Sequence, residues 1–324
     1  MLEISAAATA FTPTRPVTGI TVNGLNENGD AVGAGTGAVS CGTATSLPRL
    51  WRANGSVVIL PIGPTHCGGT AFAINSSGYI VGQEYGSGGE FALWSPNGTG
   101  GYTIQEVDVA GHLVRVLGGL NDQGEIVGWY NNAEMYWRTT ASTTWTRMIS
   151  PAGATDCQVR RGINTAGVIV AGCTINGGYK TAYLWANHLA TPVALPRPSA
   201  TGMLYPTEIN DAGVIVGYQA SPSKAVRWTP NGTGGYTVEY LPDAGRGASA
   251  YGLARDGTVS GSLVKSSSIF SSTFTPVIWP PVGTYQLLPY LGNAKSGEAN
   301  DIVNLSTGAL LIGGYQDSQA ILWR

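Results

Sequence analysis

The chain has 324 residues, only 11% of them charged, and a formal net charge of −2. Sparse charge without a basic stripe argues against a nucleic-acid partner, and no apolar stretch reaches the length of a membrane-spanning helix, which argues against membrane insertion. The 47 glycines recur with a period, which argues against a disordered low-complexity chain.

One phrase sets that period: apolar-Asn-x-x-Gly-x-apolar-Val-Gly, followed each time by a tryptophan. In chain order the copies begin at Leu25-Asn26, Ile74-Asn75, Leu120-Asn121, Ile163-Asn164, Ile209-Asn210, Leu253-Ala254 and Val303-Asn304. The sixth has Ala254 where the others have Asn, and the seventh carries one extra residue before Gly308. The tryptophans are Trp51, Trp94, Trp137, Trp185, Trp228, Trp279 and Trp323. Intervals of 49, 46, 43, 46, 44 and 50 residues between copies mark a repeat array.

Each copy is predicted to hold four strands. Strand A ends at the Asn. The Asn-x-x-Gly turn leads into strand B, a β-branched run such as Ile80-Val81-Gly82 or Ile215-Val216-Gly217. Strand C ends at the Trp. Strand D follows a second turn, spelled almost identically between Trp94 and Tyr102 and between Trp228 and Tyr236, with Asn-Gly at its centre. Seven such units predict an all-β, seven-bladed β-propeller that occupies residues 1–324 as a single domain.

Ring closure follows from spacing. From each Trp to the next repeat's Asn there are 24 to 27 residues, and the chain stops one residue after Trp323. Joining that end to Met1 gives a last interval of 27 residues to Asn26. The seventh blade is therefore expected to lack its own strand D and to take it from the N-terminus, near Leu2–Phe11.

The four cysteines are Cys41, Cys67, Cys157 and Cys173. The fourth repeat folds about Asn164–Gly167, which puts Cys157 nearly opposite Cys173. Cys41, in the B–C loop of repeat one, and Cys67, in the loop entering repeat two, share the same face. Bridges Cys157–Cys173 and Cys41–Cys67 are expected, and bridges imply an oxidising compartment. Met1–Ala10 has neither the basic nor the apolar region of a signal peptide. The expected form is a secreted protein whose leader has been replaced by Met. No Cys-x-x-Cys spacing exists, and no metal or cofactor is assigned. The acidic turns Asn26–Asp30 and Asn121–Glu125 read as turn chemistry rather than as cation sites.

The stretches Ala71-Phe-Ala-Ile-Asn75, Phe91-Ala-Leu-Trp94, Thr181-Ala-Tyr-Leu-Trp185 and Gln319-Ala-Ile-Leu-Trp323 resemble the blade phrase of a probable extracellular repeat family named for a His-Ala-Phe motif. The resemblance covers nearly the whole chain, although the motif's His is absent before the Ala in these copies. It implies the propeller architecture and bacterial secretion, and it carries no general activity, so function has to come from sites.

Residues that break the repeat are the informative ones. The D–A and B–C loops share one face, conventionally the ligand face of the channel, and the short Asn turns form the other. Aligned on the repeat Asn, the loop face gathers His66, His112, Lys295, Asp156, Arg246, Arg115, Glu298, Arg160, Arg161 and Asp301 ahead of it. Glu84, Tyr85, Trp129, Tyr130, Tyr218, Gln219 and Tyr315 follow at the ends of strand B. Flat aromatic faces with Arg and amide donors suit a sugar, which predicts one asymmetric site for an extracellular glycan. The alternative is a polysaccharide lyase acting on uronate, with Arg115 or Arg160 neutralising the carboxylate, His112 or His66 as base and Tyr130 or Tyr85 as acid. The sequence leaves open whether the protein is an enzyme at all. A second alternative is a scaffold for protein partners. His188, in the C–D loop, is placed on the opposite face as a surface residue.

Overall fold

The computed structural model describes residues 10–37, 46–86, 91–109, 112–113, 116–130, 134–267 and 272–324, with side chains omitted at 107–109, 112–113, 116–117 and 130. It contains no helix among the described residues, and seven antiparallel sheets. Blade 1 runs Gly19–Leu25, Ala31–Gly35, Leu47–Trp51 and Val57–Ile59 as strands A to D, and blade 7 runs Gly297–Asn304, Leu310–Gln316 and Gln319–Trp323 as A to C. Blade 2 adds a fifth short strand, His112–Leu113, beyond its strand D at Tyr102–Val109.

The N-terminus closes the ring. Pro13 pairs with Trp323 and Thr14 with Leu322, and Thr12 and Arg324 exchange backbone hydrogen bonds of 2.8 and 3.2 Å. Of the expected closing segment, near Leu2–Phe11, residues 2–9 lie outside the described residues; the pairing observed is at residues 12–14, and Phe11 is a buried side chain between blades 6 and 7.

There is no single core. Seven apolar clusters fill the seven wedges between neighbouring blades. Each is built from the repeated positions, for example Val32, Leu50 and Leu60 of blade 1 with Ile74, Ile80 and Trp94 of blade 2. The Trp at the end of strand C buries its ring there, and its indole N–H finds a carbonyl of the crossover that enters its own blade. Trp94 donates to Pro61, Trp185 to Ile149, Trp228 to Pro196, Trp279 to Pro242 and Trp323 to Pro289, all at 2.7–2.8 Å. A large ring that brings one donor can thus be buried without an unpaired polar group.

Blade 3 departs from this pattern. Ile126, which matches Ile80, faces Arg138, and Trp137 is paired with Val127 instead. A one-residue offset in a strand sends a side chain to the other face of the sheet. Trp137 is therefore not this blade's wedge tryptophan. Its slot holds the buried Arg138, which donates to Gln105 Oε1 at 3.1 Å and lies 5.3 Å from the Trp145 ring. Trp137 turns toward blade 4 and stacks on His188, ring centres 3.6 Å apart and nearly parallel, so His188 is a packed residue rather than a free surface one.

The repeat phrase has a physical reading at each position. The Asn side chain does two jobs: its oxygen accepts the amide four residues on, closing its own turn, and its NH2 donates to the next blade's carbonyl. The chain of links runs Asn26 to Asn75, to Asn121, to Asn164, to Asn210, to Ala254, at 2.8–3.2 Å. The turn Gly takes positive φ, as at Gly78 (82°). The Gly that ends the phrase is needed for space: a β-carbon at Gly82 would collide with the Thr70 carbonyl and stand 2.8 Å from the Trp94 ring. In blade 7 the turn is one residue later than Asn304. Leu305 donates to Ala309 and accepts from Gly308, the bonds that Asn26 makes in blade 1. Ile302 faces Ile312 as Ile74 faces Ile80, and the pairs Val303–Leu311 and Asn304–Leu310 lengthen the hairpin before its turn; the Asn304 side-chain oxygen accepts the Asp256 amide at 3.1 Å.

Cys157 faces Cys173 across strands A and B of blade 4, Cα atoms 4.1 Å apart, and the two form a disulfide inside the wedge between blades 3 and 4. Cys67 is also disulfide-bonded, and Cys41 lies outside the described residues.

Candidate ligand-binding cavity

The seven A strands enclose the channel, and its loop-face half is a cavity of about 560 Å³. Every blade contributes to its wall: Asn23, Phe72, Gly118, Gln158 to Arg161, Thr207, Tyr251, and Glu298 with Asn300, while Trp129 and Tyr218 come from the ends of strand B. The opposite mouth, ringed by the repeat Asn turns, is smaller at about 170 Å³.

Arg161 separates the two halves. From blade 4 its guanidinium reaches across the axis. One terminal nitrogen donates to the Asn23 carbonyl at 2.8 Å and pairs with Asp301 at 2.9 Å. The other donates to the carbonyls of Tyr251, at 3.1 Å, and Asn300, and lies 3.6 Å from Glu208. One side chain so cross-links blades 4, 5, 6, 7 and 1. Asp301 and Glu208 occupy like positions, each accepting the amide of a leucine in the next blade, Leu25 at 2.7 Å and Leu253 at 2.9 Å. Two carboxylates share one cation, which favours a proton on one of them. Burial pushes the Glu208 carboxyl up to about 8 against the opposing pull of Arg161, and Asp301 keeps the shorter ion pair.

Above this floor the wall is aromatic. Tyr218 stacks on Tyr205, ring centres 5.0 Å apart, and meets Tyr251 edge-on at 6.3 Å. Arg160 stands over the Tyr218 ring, 5.9 Å from its centre, and donates to the Tyr218 hydroxyl at 3.3 Å. Unlike Arg161, it makes no ion pair among the described residues. Across the cavity, Glu298 accepts from the hydroxyls of Tyr251 at 3.3 Å and Ser262 at 3.4 Å. Burial raises its carboxyl above the usual range, while the Tyr315 and Tyr251 hydroxyls pull the other way. Burial and the Glu298 charge push the Tyr315 phenol up to about 12. The amides of Asn23 and Asn300 are wall braces, donating to Ala71 at 2.9 Å and to Val22 at 2.8 Å in the next blade.

The expected site residues thus divide. Trp129, Arg160, Arg161, Tyr218 and Glu298 line the cavity, and Tyr315 touches it through Glu298. Glu84, Tyr85, Asp156, Gln219, Arg246 and Lys295 do not line it. His66 and Glu84 are buried together elsewhere in blade 2. Asp156 pairs with Lys180. Gln219 is buried, accepting from Ser199 at 2.8 Å and Tyr240 at 2.9 Å. Lys295 lies at the Asp317 turn. Arg115 is outside the described residues, and His112 and Tyr130 are placed by their backbones alone. Offset from the repeat Asn sets a residue's height on the loop face, and strand alternation decides whether its side chain points to the axis or into a wedge. That alternation is the signal that would have brought in Tyr251, Asn23, Thr207 and Asn300.

Fold and cavity together define a seven-bladed β-propeller with a closed channel floor and one asymmetric, aromatic-walled cavity. Neither a family model nor a curated protein matches the chain. Among solved structures it is similar to a streptogramin B lyase (TM-score 0.60, 13% identity, 97% of each chain covered). It is similar also to selenomethionine-substituted virginiamycin B lyase from Staphylococcus aureus (TM-score 0.62, 11% identity, 97% of this chain and 98% of that one). A third is YCF48 bound to D1 peptide (TM-score 0.57, 12% identity, 98% of this chain and 96% of that one). At these identities the likeness is one of fold. Among the described residues no helix is long and apolar enough to cross a membrane.

Proposed function

We propose that the protein is an exported binding module that holds a segment of extracellular glycan in the loop-face cavity, and that it belongs to the extracellular repeat family its blade phrases resemble. The observation that carries the reading is the Tyr218 face in the cavity wall, with Arg160 over it and Trp129 and Tyr251 around it. A sugar ring would take Arg160's place over the Tyr218 ring, and Arg160, which makes no ion pair among the described residues, would turn to bind a hydroxyl or a carboxylate. The volume suits a small ligand. The buried disulfide supports export.

The lyase reading loses support at His66, which is buried beside Glu84 and Glu106 and lines no part of the cavity. The test is retention on a panel of immobilised neutral and uronate-containing glycans, run against peptide ligands. Wild type should be retained by one glycan class, and Tyr218→Ala and Arg160→Ala should each weaken retention about tenfold or more. New ultraviolet absorbance from a double bond in the glycan would establish the lyase instead. Retention by peptides alone would make the cavity a protein-docking site.

A further inference from the structure

We propose that His66, Glu84 and Glu106 form a divalent-cation site in blade 2, of the kind that takes Zn2+, separate from the central cavity. The three side chains come from different strands of the blade: His66 opens strand A (His66–Ile74), Glu84 is near the end of strand B (Ile80–Gly86), and Glu106 lies in strand D (Tyr102–Val109). One ligand atom from each falls within 4.8 Å of the others. His66 Nδ1 is 3.8 Å from Glu84 Oε1 and 3.7 Å from Glu106 Oε1, longer than a hydrogen bond. Two ligands bound to one tetrahedral zinc stand ~3.4 Å apart, so a small side-chain rotation brings all three onto a single ion.

Two further features fit. Gly63, in the crossover into blade 2, has no room for a side chain: a β-carbon there would collide with Glu106 Oε1 and stand 2.9 Å from His66 Nδ1. Its φ is not positive, so glycine serves here to leave space rather than to make a turn. The Gly63 amide also donates to Glu84 Oε1 at 2.6 Å, the kind of outer contact that orients a metal-binding carboxylate. A neutral imidazole with two carboxylates balances a dication, and a nitrogen among the donors favours zinc over magnesium or calcium. His66 and Glu84 are buried, whereas Glu106 is 46% exposed, which leaves a path for the ion and a place for a water as fourth ligand. Bound there, the cation would tie the outer strand of blade 2 to its inner strands.

The test uses the whole chain, stripped with a chelator and dialysed, then titrated with ZnCl2 or MgCl2. Metal content after gel filtration and the melting temperature are both read. Wild type should retain one zinc per chain with a rise of about 3 °C or more, and magnesium at the same concentration should give none. Glu106→Gln, at the solvent side, should keep the metal-free melting temperature and lose the zinc and its shift. Wild type that retains no zinc, or Glu106→Gln that retains as much as wild type, would overturn the proposal and leave the cluster as ion pairs only.

Discussion

At the scale of single residues, Arg161 has the largest consequences. Its guanidinium satisfies three carbonyls and two carboxylates from four other blades, so Arg161→Met would strand Asp301 as a buried charge and leave Glu208 without its cation. Breaking such a pair from one side costs about 3–5 kcal/mol, and chemical denaturation of this variant should show a loss of that order. Glu208 adds a pH dependence. An acid whose folded pKa exceeds its unfolded value binds the extra proton in the native state. Its contribution is full below the ordinary glutamate value of about 4.3 and is lost as pH rises through about 8. Stability should therefore decline across that window, and Glu208→Gln, whose amide oxygen can still accept from Leu253, should flatten the decline. An unchanged pH profile in the variant would place the titration elsewhere. The sequence makes Arg161 look like a ligand contact because it breaks the repeat on the loop face. Only the fold reveals that the opposite wall lies within its reach.

At the scale of strands and turns, most of the pattern was legible. The Asn-x-x-Gly turns, the Val-Gly runs and the Cys157–Cys173 pairing follow from local chemistry and register. The misreadings share one cause, a shift in register. Trp137 looks like the blade tryptophan, yet Arg138 takes its slot. Asn304 looks like the turn Asn, yet Leu305 stands at the corner. Strand side chains alternate, so a count that is off by one selects the wrong face, and a motif's spelling does not reveal its register. The disulfide joins residues 16 apart, and a closed loop of that size is worth about 3 kcal/mol. The double variant Cys157→Ser with Cys173→Ser should lose roughly that much in urea unfolding. A loss well under 1 kcal/mol would mean that the wedge packing alone fixes this hairpin.

At the scale of the whole molecule, stability is distributed over seven wedges and one seam. The seam is short: Thr12 to Thr14 against Leu322 to Arg324, with Phe11 buried behind it. Deleting residues 1–14 should open blade 7 and lower the melting temperature steeply, and an unchanged melting temperature would contradict the seam. The ring was legible because its period is strict. The cavity was legible only in part, because five expected side chains line it while Tyr251, Asn23, Thr207 and Asn300 carry no signal in their offset alone. The most direct test of the central reading is a crystal structure of the protein with an oligosaccharide that it retains. The expected density is a sugar ring against Tyr218, within reach of Arg160. Density on the Asn-turn face or along the outer strands, with the cavity holding solvent alone, would contradict it.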